Sequence, residues 1–93
     1  MNHISVHPTP NPNSLKFVLA SGTFITGGLE SFGSAAEADG HDLSVALFAV
    51  EGVVNVFIVP QFLTVTKESS ESWDDMTDQI LEILARHLPR DAS

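Results

Sequence analysis

The chain has 93 residues, no cysteine, and a formal net charge of -8 from 12 acidic and 4 basic side chains. This excludes disulfides, thiolate metal sites and cysteine nucleophiles. It also disfavours nucleic acid and anionic membranes, because Lys16, Lys67, Arg86 and Arg90 are too scattered to build a basic patch.

The 43% hydrophobic and 17% charged composition is that of a globular chain. A single domain over residues 1–93 is expected, with an acidity that favours solubility and a basic partner. No apolar run approaches the roughly 20 residues of a membrane-spanning helix. The opening MNHISVHP has neither the basic region nor the apolar core of a secretory signal, so the expected location is the cytoplasm.

In chain order, Ile4 to Pro8 reads as a first strand, with Ile4 and Val6 on one side and His3, Ser5 and His7 on the other. Thr9-Pro10-Asn11-Pro12-Asn13 follows as a rigid loop. Its prolines remove two amide donors, and Asn11 and Asn13 can bond their own backbone. Ser14 to Leu19 reads as a second strand, with Leu15, Phe17 and Leu19 inward and Lys16 and Val18 outward. From Ala20 to Phe32 glycines dominate, and Thr23-Phe24-Ile25-Thr26 is a candidate edge strand. Ser34-Ala35-Ala36-Glu37 fits a capping box and predicts a brief helical turn, ended by Asp39-Gly40.

Asp42 is the expected cap of a helix whose face is Leu43, Ala46, Leu47 and Val50, closed by Gly52. Then comes the stretch VVNVFIVPQFLTVTK, two strands joined at Pro60-Gln61. With those two as the turn, Ile58 opposes Leu63, Phe57 opposes Thr64, Val56 opposes Val65 and Val54 opposes Lys67. Val54, Val56, Ile58, Leu63 and Val65 then form the core face. Asn55, Phe57, Val59, Phe62, Thr64 and Thr66 form the other. Pro60 cannot adopt the positive φ of the favoured primed turns, so a longer loop is the alternative. After a polar loop, Ser72 caps a last helix with Asp74 and Asp75 in its first turn. Its stripe is Trp73, Met76, Ile80, Ile83, Leu84 and Leu88, and Pro89 stops it. The expected fold is α+β, a two-layer sandwich of order β-β-α-β-β-α, with a mostly antiparallel sheet and helices on one face.

Several segments, in order, resemble one family. Thr9-Pro-Asn-Pro-Asn-Ser-Leu-Lys-Phe17 resembles the opening motif of the Nfu/NifU N-terminal domain of iron–sulfur cluster scaffold proteins. Ser34-Ala-Ala-Glu-Ala38 with Leu43-Ser-Val-Ala-Leu-Phe48 resembles its middle helix. Glu51-Gly-Val-Val-Asn-Val-Phe57 and Phe62-Leu-Thr-Val-Thr-Lys67 resemble its hairpin, and Trp73 opens the last helix in a similar place. The resemblance covers roughly residues 3–88. In full-length members a second domain carries the Cys-x-x-Cys pair that holds the cluster. This sequence has no cysteine, so no cluster ligand transfers to it, and what the resemblance leads one to expect is the accessory N-terminal domain. The resemblance implies a role in iron–sulfur protein maturation through protein contacts.

No catalytic constellation or nucleophile elbow stands out. Asp74, Asp75 and Asp78 are explained by a helix start. Gly27-Gly28 reads as turn chemistry, because it does not link a strand to a helix. His3 and His7 share a strand face about 13 Å apart, too far to chelate one ion. The principal reading is thus a non-catalytic binding or adaptor module with no metal and no cofactor. Its candidate contact residues are Thr9, Asn11 and Asn13 in the loop, and Lys16, Val18, Phe57, Val59, Phe62 and Thr64 on the outer sheet face. Folding of Phe24, Ile25 or the glycine-rich segment over that face is the competing outcome. The alternative functions are a metal-binding or catalytic protein using His3, His7, His41 and nearby carboxylates, or a homodimeric structural domain paired through the hairpin face.

Overall fold

The computed structural model describes residues 4–20, 22–25 and 27–87. It contains β1 (Ile4–Pro8), β2 (Ser14–Leu19), β3 (Glu30–Phe32), α1 (Asp42–Phe48), β4 (Val53–Ile58), β5 (Phe62–Lys67) and α2 (Trp73–His87). The strands form one five-stranded sheet of order β1-β2-β5-β4-β3, antiparallel at every pairing. Both helices lie on one face. The α+β sandwich is therefore as expected, with one strand more: the order is β-β-β-α-β-β-α.

That extra strand corrects the expected edge. The ladder beside β4 is made by Glu30–Phe32, not by the stretch from Thr23. Thr26 lies outside the described residues. Phe24 instead donates its N–H to the Pro60 carbonyl (2.7 Å), and Phe24 and Ile25 pack against the core. Their apolar side chains serve packing, and Gly28 at φ +69 turns the chain before β3.

The core is Phe17 and Leu19 from β2, Val53, Val56 and Ile58 from β4, and Leu63 and Val65 from β5, under Leu43, Leu47, Val50, Met76, Ile80 and Leu84. Burying each large apolar side chain contributes about 1.5–3 kcal/mol. The hairpin register from Asn55 to Ile58 is as the sequence indicates, with Ile58 opposite Leu63 and Asn55 opposite Thr66. Val59 donates to the Phe62 carbonyl (2.9 Å), so Pro60 and Gln61 are the turn. Among the described residues no non-glycine has positive φ, which rules out a primed turn. The turn is held from outside instead. Phe24 bonds the Pro60 carbonyl, and Leu19 donates to the Gln61 carbonyl (3.0 Å).

At the other end the expectation for Val54 fails. Val53, not Val54, opposes Lys67, and the register shifts between Val53 and Asn55. A bulge sets two residues against one and so changes which one faces inward. Val53 is buried and Val54 is 37% exposed.

The expected cap of α1 is also corrected. His41 is the N-cap, its Nδ1 accepting the Ser44 N–H (3.3 Å), while Asp42 is the first helical residue. An imidazole nitrogen does here what a carboxylate oxygen usually does, and Asp42 still sits where the helix dipole favours an acid. Ser72 caps α2 as expected, accepting the Asp74 N–H (3.2 Å). Met76, Ile80 and Leu84 form the buried stripe of α2; Leu88 and Pro89 lie outside the described residues. Ser34 accepts the Glu37 N–H, and Glu37 reaches back to the Gly33 N–H rather than to that of Ser34. The result is the brief helical turn expected, with Ala38 donating its N–H to the Ser34 and Ala35 carbonyls (each 3.2 Å), and it does not extend into a helix.

Candidate protein-binding face

The Thr9–Asn13 loop spends its polar groups inside the molecule. Thr9 Oγ1 donates to the Asn11 carbonyl (2.8 Å) and accepts the Asn11 N–H (3.1 Å). Asn11 Oδ1 accepts the Asn13 N–H (2.9 Å). Each short polar side chain thus supplies bonds that the prolines deny the backbone. The loop is then tied to the helix layer. Lys67 Nζ donates to Asn13 Oδ1 and to the Glu68 carbonyl, each at 3.2 Å. It also lies 5.7 Å from the Trp73 ring centre. Trp73 Nε1 donates to the Pro12 carbonyl (3.1 Å). The motif thus joins the start of β2, the end of β5 and the first turn of α2.

Six of the nine candidate contact residues come together elsewhere, on the sheet face away from the helices. The register places Lys16 beside Thr64 and Thr64 beside Phe57. Val18 pairs with Phe62, and Val59 stands opposite Phe62 across the turn. All six are half-buried. The Phe57 and Phe62 rings sit 6.5 Å apart, tilted by 40°, a diagonal cross-strand contact. Lys16 Nζ lies 4.3 Å from the centre of the Phe62 ring, within cation–π range. None of these residues belongs to the core cluster, and Phe24 and Ile25 are among the partly buried residues packed against that core.

Neighbours that the candidate set lacked join the face, Ser5 opposite Val18 among them. His7 pairs with Lys16, and Ser31 pairs with Phe57. Alternation along β1 already set His7 apart from Ile4 and Val6. What one strand cannot reveal is which neighbour it meets.

The histidines do not assemble. His3 lies outside the described residues. His7 is on the outer face, whereas His41 caps α1 and stacks on Phe32, their ring centres 5.5 Å apart. Phe32 pairs with core residue Val56, so the sheet lies between the two histidines. Among the described residues no group of three or more His, Cys, Asp or Glu could hold a metal. Iron–sulfur clusters are held mainly by thiolates, and this chain has none, so its residues do not fit such a group. Among the same residues no helix is long and apolar enough to cross a membrane.

The geometry defines a two-layer α+β fold with the core between one sheet face and the two helices. The model of the family described as scaffold protein Nfu/NifU N terminal matches residues 4–91. The chain belongs to that family. It is 40% identical over 91 residues to the human NFU1 iron-sulfur cluster scaffold homolog, mitochondrial, covering 92% of this chain and 35% of that protein. It is 35% identical over 81 residues to NifU-like protein 5, mitochondrial, of Arabidopsis thaliana, covering 87% of this chain and 29% of that protein. It thus spans about a third of these curated relatives. A solution structure of a NifU-like protein from Saccharomyces cerevisiae superposes with TM-score 0.80 at 25% identity, over 92% of this chain and 77% of that one. A Staphylococcus aureus crystal structure shares the fold at TM-score 0.72 and 23% identity, over 87% and 96%.

Proposed function

We propose that this chain is a non-catalytic protein-binding module that serves iron–sulfur protein maturation by contacting a scaffold or client protein. One observation carries the reading: Val18, Phe57, Val59 and Phe62 stand together, each half-buried, on the sheet face opposite the one that carries the core. A contiguous apolar patch of this kind ordinarily marks an interface. The family and the names of the relatives supply the iron–sulfur setting.

The Thr9–Asn13 loop takes a supporting part in this reading, holding the sheet end in place, with Pro10, Asn11 and Pro12 exposed at its tip. A cytoplasmic location remains our reading. The relatives' names place those proteins in mitochondria, and cell fractionation decides for this one.

The test is a pull-down from the organism's own extract with the wild-type chain, Phe57→Ser and Phe62→Ser. Recovery of a cysteine-bearing assembly factor that both substitutions abolish is expected. Recovery unchanged by either substitution, or no such factor at all, overturns the reading.

A further inference from the structure

The outer sheet face differs from the rest of the molecule in charge. Among the described acidic residues only Glu30 lies on a strand, and it pairs with core residue Ile58, which puts it on the helix side. The outward positions of the five strands hold serine, threonine, asparagine and apolar residues, with His7 and Lys16 paired among them. Among the described residues, the outward strand positions of a chain of net charge -8 therefore carry no carboxylate. Packed layers lie about 10 Å apart, and the Debye length at physiological ionic strength is about 8 Å. The acids of the helix layer therefore lie at least a layer spacing, about 10 Å, from a ligand on the outer face, where Lys16 is the full charge at an outward strand position.

We propose that this face takes an acidic segment of another protein, one carboxylate pairing with Lys16 and an apolar side chain resting on Phe57 and Phe62. The inference rests on the binding-module reading and names its partner's chemistry. It reverses the expectation from net charge, which points to a basic partner. It also disfavours a second copy of this chain as occupant. Two such faces in contact would bring the Lys16 ammoniums of both copies together, with no acid at the described outward strand positions to offset them.

Nuclear magnetic resonance on the full chain, labelled with nitrogen-15, tests this with two short capped peptides. Both carry the same leucines and phenylalanine, flanked in one by glutamates and in the other by lysines. The glutamate peptide should shift the amides of Lys16, Val18, Phe57 and Phe62, bind about tenfold tighter than the lysine peptide, and weaken with added salt. Lys16→Glu should reverse that order, and Lys16→Gln should abolish the preference. Thermal melts confirm that both variants fold. Equal or tighter binding of the lysine peptide, shifts confined to the helices, or no shifts up to about 1 mM peptide overturns the proposal. So does light scattering that shows a dimer which Phe62→Ser dissolves. If Phe62→Ser weakens both peptides while Lys16→Glu leaves their order unchanged, the binding face stands and the acidic occupant falls. If neither variant changes anything, both fall.

Discussion

Lys67 illustrates how much one side chain carries here. It is 7% exposed, yet its ammonium meets only neutral acceptors, Asn13 Oδ1 and the Glu68 carbonyl, beside the Trp73 ring. Hydrogen bonds to a charged group contribute about 1.5–3 kcal/mol each, and the desolvated ammonium offsets part of that. Lys67→Met keeps the stem and removes the charge. It should lower unfolding stability by about 2 kcal/mol and leave Asn13 without its partner. Urea denaturation measures the first effect, and faster exchange of the loop amides reports the second. Sequence periodicity could not single out Lys67, because a lysine at a strand end reads as solvated. The Thr-Pro-Asn-Pro-Asn run was legible as a rigid loop, but its partners lie more than 50 positions away. Ser44 was likewise missed. It is wholly buried with an unpartnered hydroxyl, while Ala46 on the expected face of α1 is only half-buried.

At the scale of elements, the turn between α1 and β4 depends on Gly52. Its φ is +98, and an added Cβ would come 2.5 Å from Glu71 Cγ. The left-handed conformation costs a non-glycine residue about 1–2 kcal/mol, and the contact with Glu71 adds to it. Gly52→Ala should therefore destabilise the chain by about 2 kcal/mol or more. Adding Glu71→Ala should recover the steric part and leave the backbone part, so thermal melts of the single and double variants separate the two. The hairpin, both long strands of the first half and the last helix were readable because alternation and helical spacing are strong there. β3 was not. Three residues give too short an alternation, and the more β-prone Thr23-Phe24-Ile25 segment was drawn into packing and a bond to the turn. The Val54 bulge was equally hidden, since the adjacent valines Val53 and Val54 fit either parity.

Across the whole molecule, the acids gather on the helix layer and its connections. Asp74, Asp75 and Asp78 crowd the start of α2, and Arg86 pairs with Glu82 near its end. Exposed pairs of this kind contribute little, so self-repulsion is the larger electrostatic effect at net charge -8. Raising sodium chloride from about 0.01 M to about 0.15 M shortens the Debye length from about 30 Å to about 8 Å. The melting temperature should rise over that range and then flatten. A melting temperature that falls with salt would show attractive charge pairs dominating. The candidate face was legible from one hairpin's alternation. The lack of acids at its described strand positions was not, because charge placement depends on which strands become neighbours.

The clasp on the hairpin tip has a practical side. Such tips are usually where a peptide tag or a foreign loop can be spliced into a protein without harm. Here Pro60 and Gln61 hand their carbonyls to Phe24 and Leu19, so an insertion between them would pry loose a distant segment as well as the tip itself. Ser69 and Ser70, exposed between β5 and α2, offer the safer place for a graft.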